Sequence, residues 1–358
     1  MHSKTGLRPE SPVSPRNPAR QQIFSEGGSL SDSTSRRNRG ESGRPVESVV
    51  GLHDTSRLFR DNSLSNRSPR SKVEEGPAQS TGLMQTAVQP VARLNNGVMI
   101  PRLGLGVYQS PPGQVTQKAV EYALKVGYRH IDTARIYNNE SDVGTALRKS
   151  GINREDVFIT TKLWNSDQGY ETALKAYDAS LERLGLKYVD LYLIHWPVQE
   201  TRDQSWKALV QLLKDGKARA IGVSNYTIQH LTGLLGRSDM IPMVNQVEFS
   251  PFLYQKQLLD YCEKNKIQLE AYSPLTQGEK LNHPRIQEIA KKHNKTPAQV
   301  LLRWSLQHNL VTIPKSVREE RIKENSQVFD YNLTTDEMRT LDSLDENFRN
   351  SWDPTNMP

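Results

Sequence analysis

The chain has 358 residues and carries 47 Lys and Arg against 40 Asp and Glu, a formal net charge of +7. The excess divides between an N-terminal tail and the remainder, and the basic cluster Arg36, Arg37 and Arg39 stands among Glu and Asp without stacking aromatics, so a nucleic-acid partner is not expected. No run approaches the roughly 20 apolar residues that span a bilayer, no short apolar segment follows the N-terminus, and the single Cys262 excludes an intramolecular disulfide, so neither a membrane partner nor secretion is expected.

Residues 1–83 are dense in Ser, Arg, Pro, Gly and Asn, with runs such as SPVSPRNP and SDSTSRRNRGESGRP and no sustained apolar periodicity. Such a segment buries too little apolar surface to offset its ordering entropy, and a disordered extension is expected. Its Arg- and Ser-rich start has some transit-peptide character, but Glu10, Glu26, Asp32 and several prolines count against that, and a cytoplasmic location is expected. The Ser-Pro pairs at Ser11, Ser14 and Ser68 could accept phosphate, yet such pairs are frequent in disordered chains. Residues 84–358 are patterned throughout and suit one α/β barrel of about 250 residues.

The patterned region opens with a predicted hairpin over Val91 to Ile100, where Asn96-Gly97 separates two apolar runs. Strand-like runs then follow at Leu103 to Val107, Arg129 to Asp132, Val157 to Thr161, Val189 to Ile194 and Ala218 to Val223. Three more lie at Met243 to Val247, Ile267 to Tyr272 and Leu310 to Ile313. Between them, Val115, Ala119, Tyr122 and Val126 recur at helical spacing. So do Tyr170, Leu174, Tyr177, Leu181 and Leu184, and again Trp206, Leu209, Val210 and Leu213. Cys262 reads as a small core residue on a helix around Tyr261. Near-continuous apolar strands alternating with amphipathic helices imply a parallel sheet covered by helices. Eight units suit a closed (β/α)₈ barrel better than an open sheet, although periodicity alone leaves a doubly wound fold open. A dinucleotide fingerprint of the G-x-G-x-x-G type is incomplete, because Gly104-Leu105-Gly106 lacks its third glycine.

Barrels of this class carry their active sites at the carboxyl ends of the strands. There the sequence places Asp132 with Tyr137 just beyond, Lys162, His195, Ser224 with Asn225, Gln246, Tyr272 and Lys315. Each has a plain structural reading: Asp132 and Lys162 as a buried ion pair, Tyr137 packed beside a loop, His195 as a satisfied core histidine. Their convergence on one mouth favours a reaction site. No His/Cys cluster has metal-ligand spacing, and no metal is expected.

The strings GYRHIDTARIYNNE, VFITTKLW, DLYLIHWP, AIGVSNY, MVNQVEFSP, EAYSPL and IPKSVREERIKEN resemble, in order and spacing, the signature segments of the aldo-keto reductase superfamily, over about Val91 to Asp345. The resemblance implies a TIM barrel that reduces aldehydes and ketones with NADPH, using a catalytic tetrad of Asp132, Tyr137, Lys162 and His195. It implies nicotinamide stacked on Tyr272 and its carboxamide held by Ser224, Asn225 and Gln246, with Ser273 and Leu275 also in contact with the cofactor. The 2′-phosphate would meet Lys315, Ser316 and Arg321, and the adenine would meet Glu324 and Asn325. Tyr108, Trp164, His195 and Trp196 would wall the carbonyl pocket, with Phe348 and Trp352 as C-terminal candidates. A small-molecule carbonyl substrate and a monomer are the expected partner and state. Met84 begins MQTAVQPVARLNNG, as a compact reductase of this type would begin, so the preceding segment is expected to be an appendage.

The chemistry calls for these residue types. Hydride addition to a carbonyl leaves charge on oxygen, which must be stabilised and protonated. A free tyrosine titrates near about pH 10, so it donates more readily beside a cation that steadies the developing phenolate, here Lys162 held by Asp132. His195 would orient the carbonyl oxygen. An alternative is a non-catalytic NADPH-binding barrel acting as a redox sensor or regulatory subunit, since a fold does not fix a function; a phosphate-sugar barrel would need neither SNY nor the Tyr/Lys pair. The sequence departs from many relatives at Tyr108, where tryptophan is frequent, and at Val107. It also has a short Pro197 to Ser205 segment and a short C-terminus, which together predict an open pocket with small lids.

Overall fold

The computed structural model describes residues 90–358. The expected extension over 1–83, its Ser-Pro pairs and the boundary at Met84 lie outside the described residues.

The hairpin forms as the Asn-Gly signal predicts. Strands β1 (Val91–Arg93) and β2 (Met99–Pro101) pair antiparallel, with Ala92 opposite Ile100. Between them Gly97 takes φ 90°, and Leu94 N donates to Val98 O at 2.8 Å. Ala92 and Ile100 are buried while Val91 and Met99 face outward, the alternation of a half-covered ribbon. The hairpin tip is stitched to the amino ends of three barrel strands. Asn95 Nδ2 donates to Pro242 O and to Lys266 O, each at 3.1 Å, and Asn96 Nδ2 donates to Arg219 O at 2.9 Å.

Eight parallel strands follow in sequence order: β3 (Leu105–Gly106), β4 (His130–Asp132), β5 (Phe158–Leu163), β6 (Val189–Ile194), β7 (Ala218–Ser224), β8 (Val244–Glu248), β9 (Gln268–Tyr272) and β10 (Val311–Thr312). All eight expected strands are present. The first and last shorten to two residues each, where the sheet closes on itself through parallel bridges Leu103 to Thr312 and Gly106 to Lys315. Gly104 N donates to Thr312 O at 2.9 Å and Gly106 N to Pro314 O at 3.1 Å, completing the seam. A closed parallel barrel decides the choice that periodicity left open against the doubly wound sheet. β5 and β6 are buried at every position, as strands covered on both faces must be.

The connecting helices are α1 (Gln114–Lys125), α2 (Glu140–Ser150), α3 (Tyr170–Leu184), α4 (Arg202–Lys214), α5 (Ile228–Leu235), α6 (Lys256–Lys264), α7 (Pro284–His293), α8 (Pro297–Gln307), α9 (Glu319–Ser326) and α10 (Thr335–Asp342). α1 corrects one expectation. Its buried stripe is Thr116, Ala119, Val120, Ala123 and Leu124, and Val115 in the first turn is 43% exposed. The stripe is rotated from the one read off the larger side chains, because small alanines face the neighbouring elements. Close approach recurs at Gly144 in α2, where a Cβ would stand 1.9 Å from Leu184 O at the end of α3. Cys262 is buried on α6, in the core role expected of it.

At the amino end of the barrel a buried acid is fully engaged. Asp190, second residue of β6, accepts from Arg154 Nη2 and Arg219 Nη1 at 2.6 Å each and from Ile159 N at 2.9 Å. This ties β5, β6 and β7 together beneath the core.

Candidate active site

At the opposite, carboxyl end, the four residues expected to carry the chemistry meet. Asp132 is the last residue of β4, and the chain then passes through Thr133 and Ala134 into a 3-10 turn, Arg135–Tyr137. Asn138 ends that turn in a left-handed conformation, φ 56°. The next residue, buried Asn139, accepts from Thr133 Oγ1 at 2.8 Å and donates to Val107 O at 2.9 Å. The turn is therefore pinned to the end of β3, and Tyr137 is carried back over the strand ends.

Lys162, near the end of β5, is wholly buried and commits its ammonium protons to three oxygens: Asp132 Oδ1 at 2.6 Å, Thr133 O at 2.9 Å and Tyr137 OH at 3.4 Å. Gln246 on β8 donates through Nε2 to Asp132 Oδ2 at 2.9 Å, so both carboxylate oxygens are held. Burial pushes the Asp132 carboxyl up, while the Lys162 ammonium and the hydrogen bonds from Lys162 and Gln246 pull it back. Burial, followed by the charge of Asp132, pushes the Tyr137 phenol well above its ordinary range, which keeps the proton on its oxygen. His195 follows β6. Its imidazole is held well below the ordinary range, first by burial and then by Lys162, so the ring is neutral and has one N–H to give. Its Nδ1 is buried and hydrogen-bonds to no group among the described residues.

Aromatic rings stand around this cluster. Tyr108, 41% exposed at the rim, lies 5.0 Å from the Tyr137 ring, and Trp164 meets His195 edge-on at 5.2 Å. Trp196 packs at 6.3 Å from Trp352. The two C-terminal candidates part company here. Trp352 reaches the rim, whereas Phe348 serves as an anchor: its N donates to Phe252 O at 2.9 Å, and Lys280 Nζ sits 4.4 Å over its ring. The short C-terminus is tied down, because Glu248 at the end of β8 accepts from Asn350 N at 2.6 Å and from Ser351 N at 3.0 Å.

Ser224, Asn225, Gln246 and Tyr272 form one network beside the tetrad. Ser224 Oγ donates to Gln246 O at 2.8 Å, Asn225 Nδ2 to His195 O at 3.0 Å and Tyr272 OH to Asn225 Oδ1 at 2.9 Å. Asn225 (φ 63°) and Ser273 (φ 49°) turn the chain sharply after β7 and β9 and keep these side chains at the mouth. Leu275 is half-buried in the same turn. Further round, Lys315 is exposed just past β10, Ser316 Oγ accepts from Arg318 N at 3.1 Å, and Arg321 is exposed in the first turn of α9. Glu324 and Asn325 lie one turn on. Asn325 is buried, and Glu324 already accepts from Thr296 Oγ1 at 2.7 Å, which fastens α9 to the start of α8.

One buried group escaped sequence reasoning. Glu270, on β9, is wholly buried near Asp132. The signal was available: strand alternation puts Glu270 on the same face as Tyr272, inside the barrel.

The chain matches the model of the Aldo/keto reductase family over residues 102–346. It is similar to a glyoxal reductase of Bacillus subtilis (strain 168), 53% identical over 266 residues, which covers 74% of this chain and 96% of that one. Among solved structures, an aldo/keto reductase from Brucella melitensis superposes with a TM-score of 0.70 at 46% identity, covering 72% of this chain and all of the other. A Bombyx mori aldo-keto reductase, solved in complex with NADP, does so with a TM-score of 0.70 at 34% identity, covering 74% and 95%.

Proposed function

We propose, from the premise that this chain belongs to the aldo/keto reductase family of oxidoreductases, that it reduces small aldehydes and ketones to alcohols with NADPH. The reading places the catalytic unit within residues 84–358, acting as a cytoplasmic monomer. One observation carries the reading: Lys162 Nζ bridges Asp132 Oδ1 at 2.6 Å and Tyr137 OH at 3.4 Å within a buried floor. A purely structural ion pair needs no phenol at its outer edge.

The residues present suit a dinucleotide. Tyr272 offers a half-buried ring, Ser224 and Asn225 lie beside it with amide and hydroxyl groups, and the exposed cations Lys315 and Arg321 flank Ser316 before and within the start of α9. When bound, NADPH supplies the hydride that adds to the carbonyl carbon. Tyr137 gives its hydroxyl proton to the carbonyl oxygen, which completes the alcohol. Lys162 steadies the phenolate left behind, and Asp132 holds Lys162 so that its charge is not stranded in a low-dielectric floor. Neutral His195 donates a hydrogen bond to the same oxygen and sets its approach, while Tyr108, Trp164 and Trp196 exclude water. The Bacillus subtilis relative's name points to glyoxal, and small α-dicarbonyls belong in the first panel tried.

The test is spectrophotometric. NADPH should be consumed when an aldehyde is added to the full chain, and far faster than NADH. Tight NADPH binding with no turnover across a broad panel of aldehydes and ketones would instead support the sensor.

A further inference from the structure

Glu270 has no part in the mechanism just described, yet it sits beneath it. β8 and β9 place Gln246 and Glu270 in register, so the two side chains leave the sheet on the same side. Gln246 Nε2 in turn reaches Asp132 Oδ2 at 2.9 Å. Glu270 is wholly buried, and neither carboxyl oxygen has a well-formed hydrogen bond among the described residues, although the Gln246 amide is close enough to draw on it. On its other side, His130 Nε2 lies 3.7 Å from Glu270 Oε1 and is already hydrogen-bonded to Thr160 Oγ1 at 3.1 Å. The space is tight, since a Cβ at Gly104 would stand 2.7 Å from His130 Nδ1. A buried carboxylate without a well-formed hydrogen bond or an ion-pair partner costs far more than the neutral acid in the same place.

We propose that Glu270 is a positioning residue of the reductase floor: held as a neutral carboxylic acid, it leaves the Gln246, Asp132, Lys162 and Tyr137 chain undisturbed, and its ionisation sets the alkaline limit of carbonyl reduction. The inference rests on the reductase reading above.

Every element packed against Glu270 bears on its charge. β4 contributes His130 and Asp132, β5 contributes Lys162 and Thr160, β8 contributes Gln246, and the turn after β4 contributes Tyr137. The paired position on β10 is the uncharged Val311. Burial and the repulsion of Asp132 hold Glu270 at about 8, against the pull of the Gln246 amide and the Lys162 ammonium. Burial and Lys162 keep His130 neutral, so it supplies no countercharge. When Glu270 loses its proton, a second anion appears beside Asp132. That anion makes Tyr137 a weaker acid and opposes the negative charge growing on the carbonyl oxygen. With an effective dielectric near 20, a buried charge that already acts on the Tyr137 phenol should slow proton donation at least about threefold.

Two measurements on the full chain test this. The infrared carbonyl band of a protonated buried carboxylic acid should be present in the wild type, fade as pH rises through about 8, and be absent from Glu270→Gln. Single-turnover oxidation of bound NADPH by benzaldehyde should slow across the same range in the wild type, at the same midpoint, and should be flat in Glu270→Gln. If the wild type binds NADPH but reduces no aldehyde at any pH, the reductase reading fails and takes this proposal with it. If the wild type turns over but its rate midpoint and infrared midpoint differ, the Glu270 proposal alone is overturned. An alkaline fall that persists unchanged in Glu270→Gln overturns it as well. The wild-type comparison needs no variant and stands even if Glu270→Gln folds poorly.

Discussion

The two ends of the barrel treat buried charge in opposite ways. At the amino end, Asp190 receives two guanidinium groups and a backbone amide, all within 3 Å, and the hairpin covers the strand ends. At the carboxyl end, Asp132 and Lys162 are paired, but the cluster keeps a phenol at 3.4 Å, a neutral histidine with an unmet Nδ1, and a buried acid with two unmet oxygens. A cluster built for stability engages its buried carboxylate on every side, whereas one built for chemistry leaves groups poised to react with something else. The difference lies in pairing rather than in residue type, because both ends use carboxylates and cations.

The largest expected effect breaks the carboxyl end alone. Tyr137→Phe removes the proton donor and keeps the ring, so kcat with an aldehyde should fall by about 10² to 10⁴. NADPH affinity and Tm should barely move. Lys162→Met acts through the same hydroxyl, so the double variant should be little worse than the worse single one. Near-wild-type turnover in folded, NADPH-binding Tyr137→Phe would show that another group gives the proton.

The mirror experiment strikes the amino end. Asp190→Asn leaves Arg154 and Arg219 facing a weaker acceptor and should cost about 2–4 kcal/mol of stability in denaturant titration. Its kcat should stay within about twofold of wild type, because no atom of this cluster reaches the mouth. A loss of turnover as large as the loss of stability would mean that the two ends are coupled.

A smaller effect is expected at the rim. Arg321→Ala should weaken NADPH at least about tenfold, the worth of one charge-assisted contact, and NADH far less. Equal losses for both would assign Arg321 to the adenine or to α9 itself.

A last effect separates wild type from Glu270→Gln by pH. In the folded chain Glu270 titrates at about 8 instead of 4.5, so between those values the folded state keeps a proton that the unfolded state has released. Stability from this source is full below 4.5 and falls as pH rises to about 8. Glu270→Gln has no such dependence. Its Tm relative to wild type should therefore climb across that window and level off above it; a constant difference would show that Glu270 is ionised throughout.

Much of this was legible before any coordinates. Alternating strand and helix periods, the Asn96-Gly97 turn and the polar residues at strand ends sufficed for a hairpin, eight strands and a mouth containing Asp132, Tyr137, Lys162 and His195. These features are local, because they depend on period and turn chemistry within a few residues. Closure was not local. Whether the sheet is a barrel depends on bridges such as Leu103 to Thr312, and which face of α1 is buried depends on what packs against it. Gln246 grips Asp132 across 114 residues of sequence, and Asn95 holds Pro242 across 147. Strand alternation can tell that Glu270 points inward, but only the register of β8 on β9 sets it beside Gln246, close to the catalytic pair and without a charged partner of its own. The sequence by itself determined which groups could react. The tertiary structure decided which of them are paired, because a buried charge is settled by whichever partner the barrel's closure brings within hydrogen-bond reach.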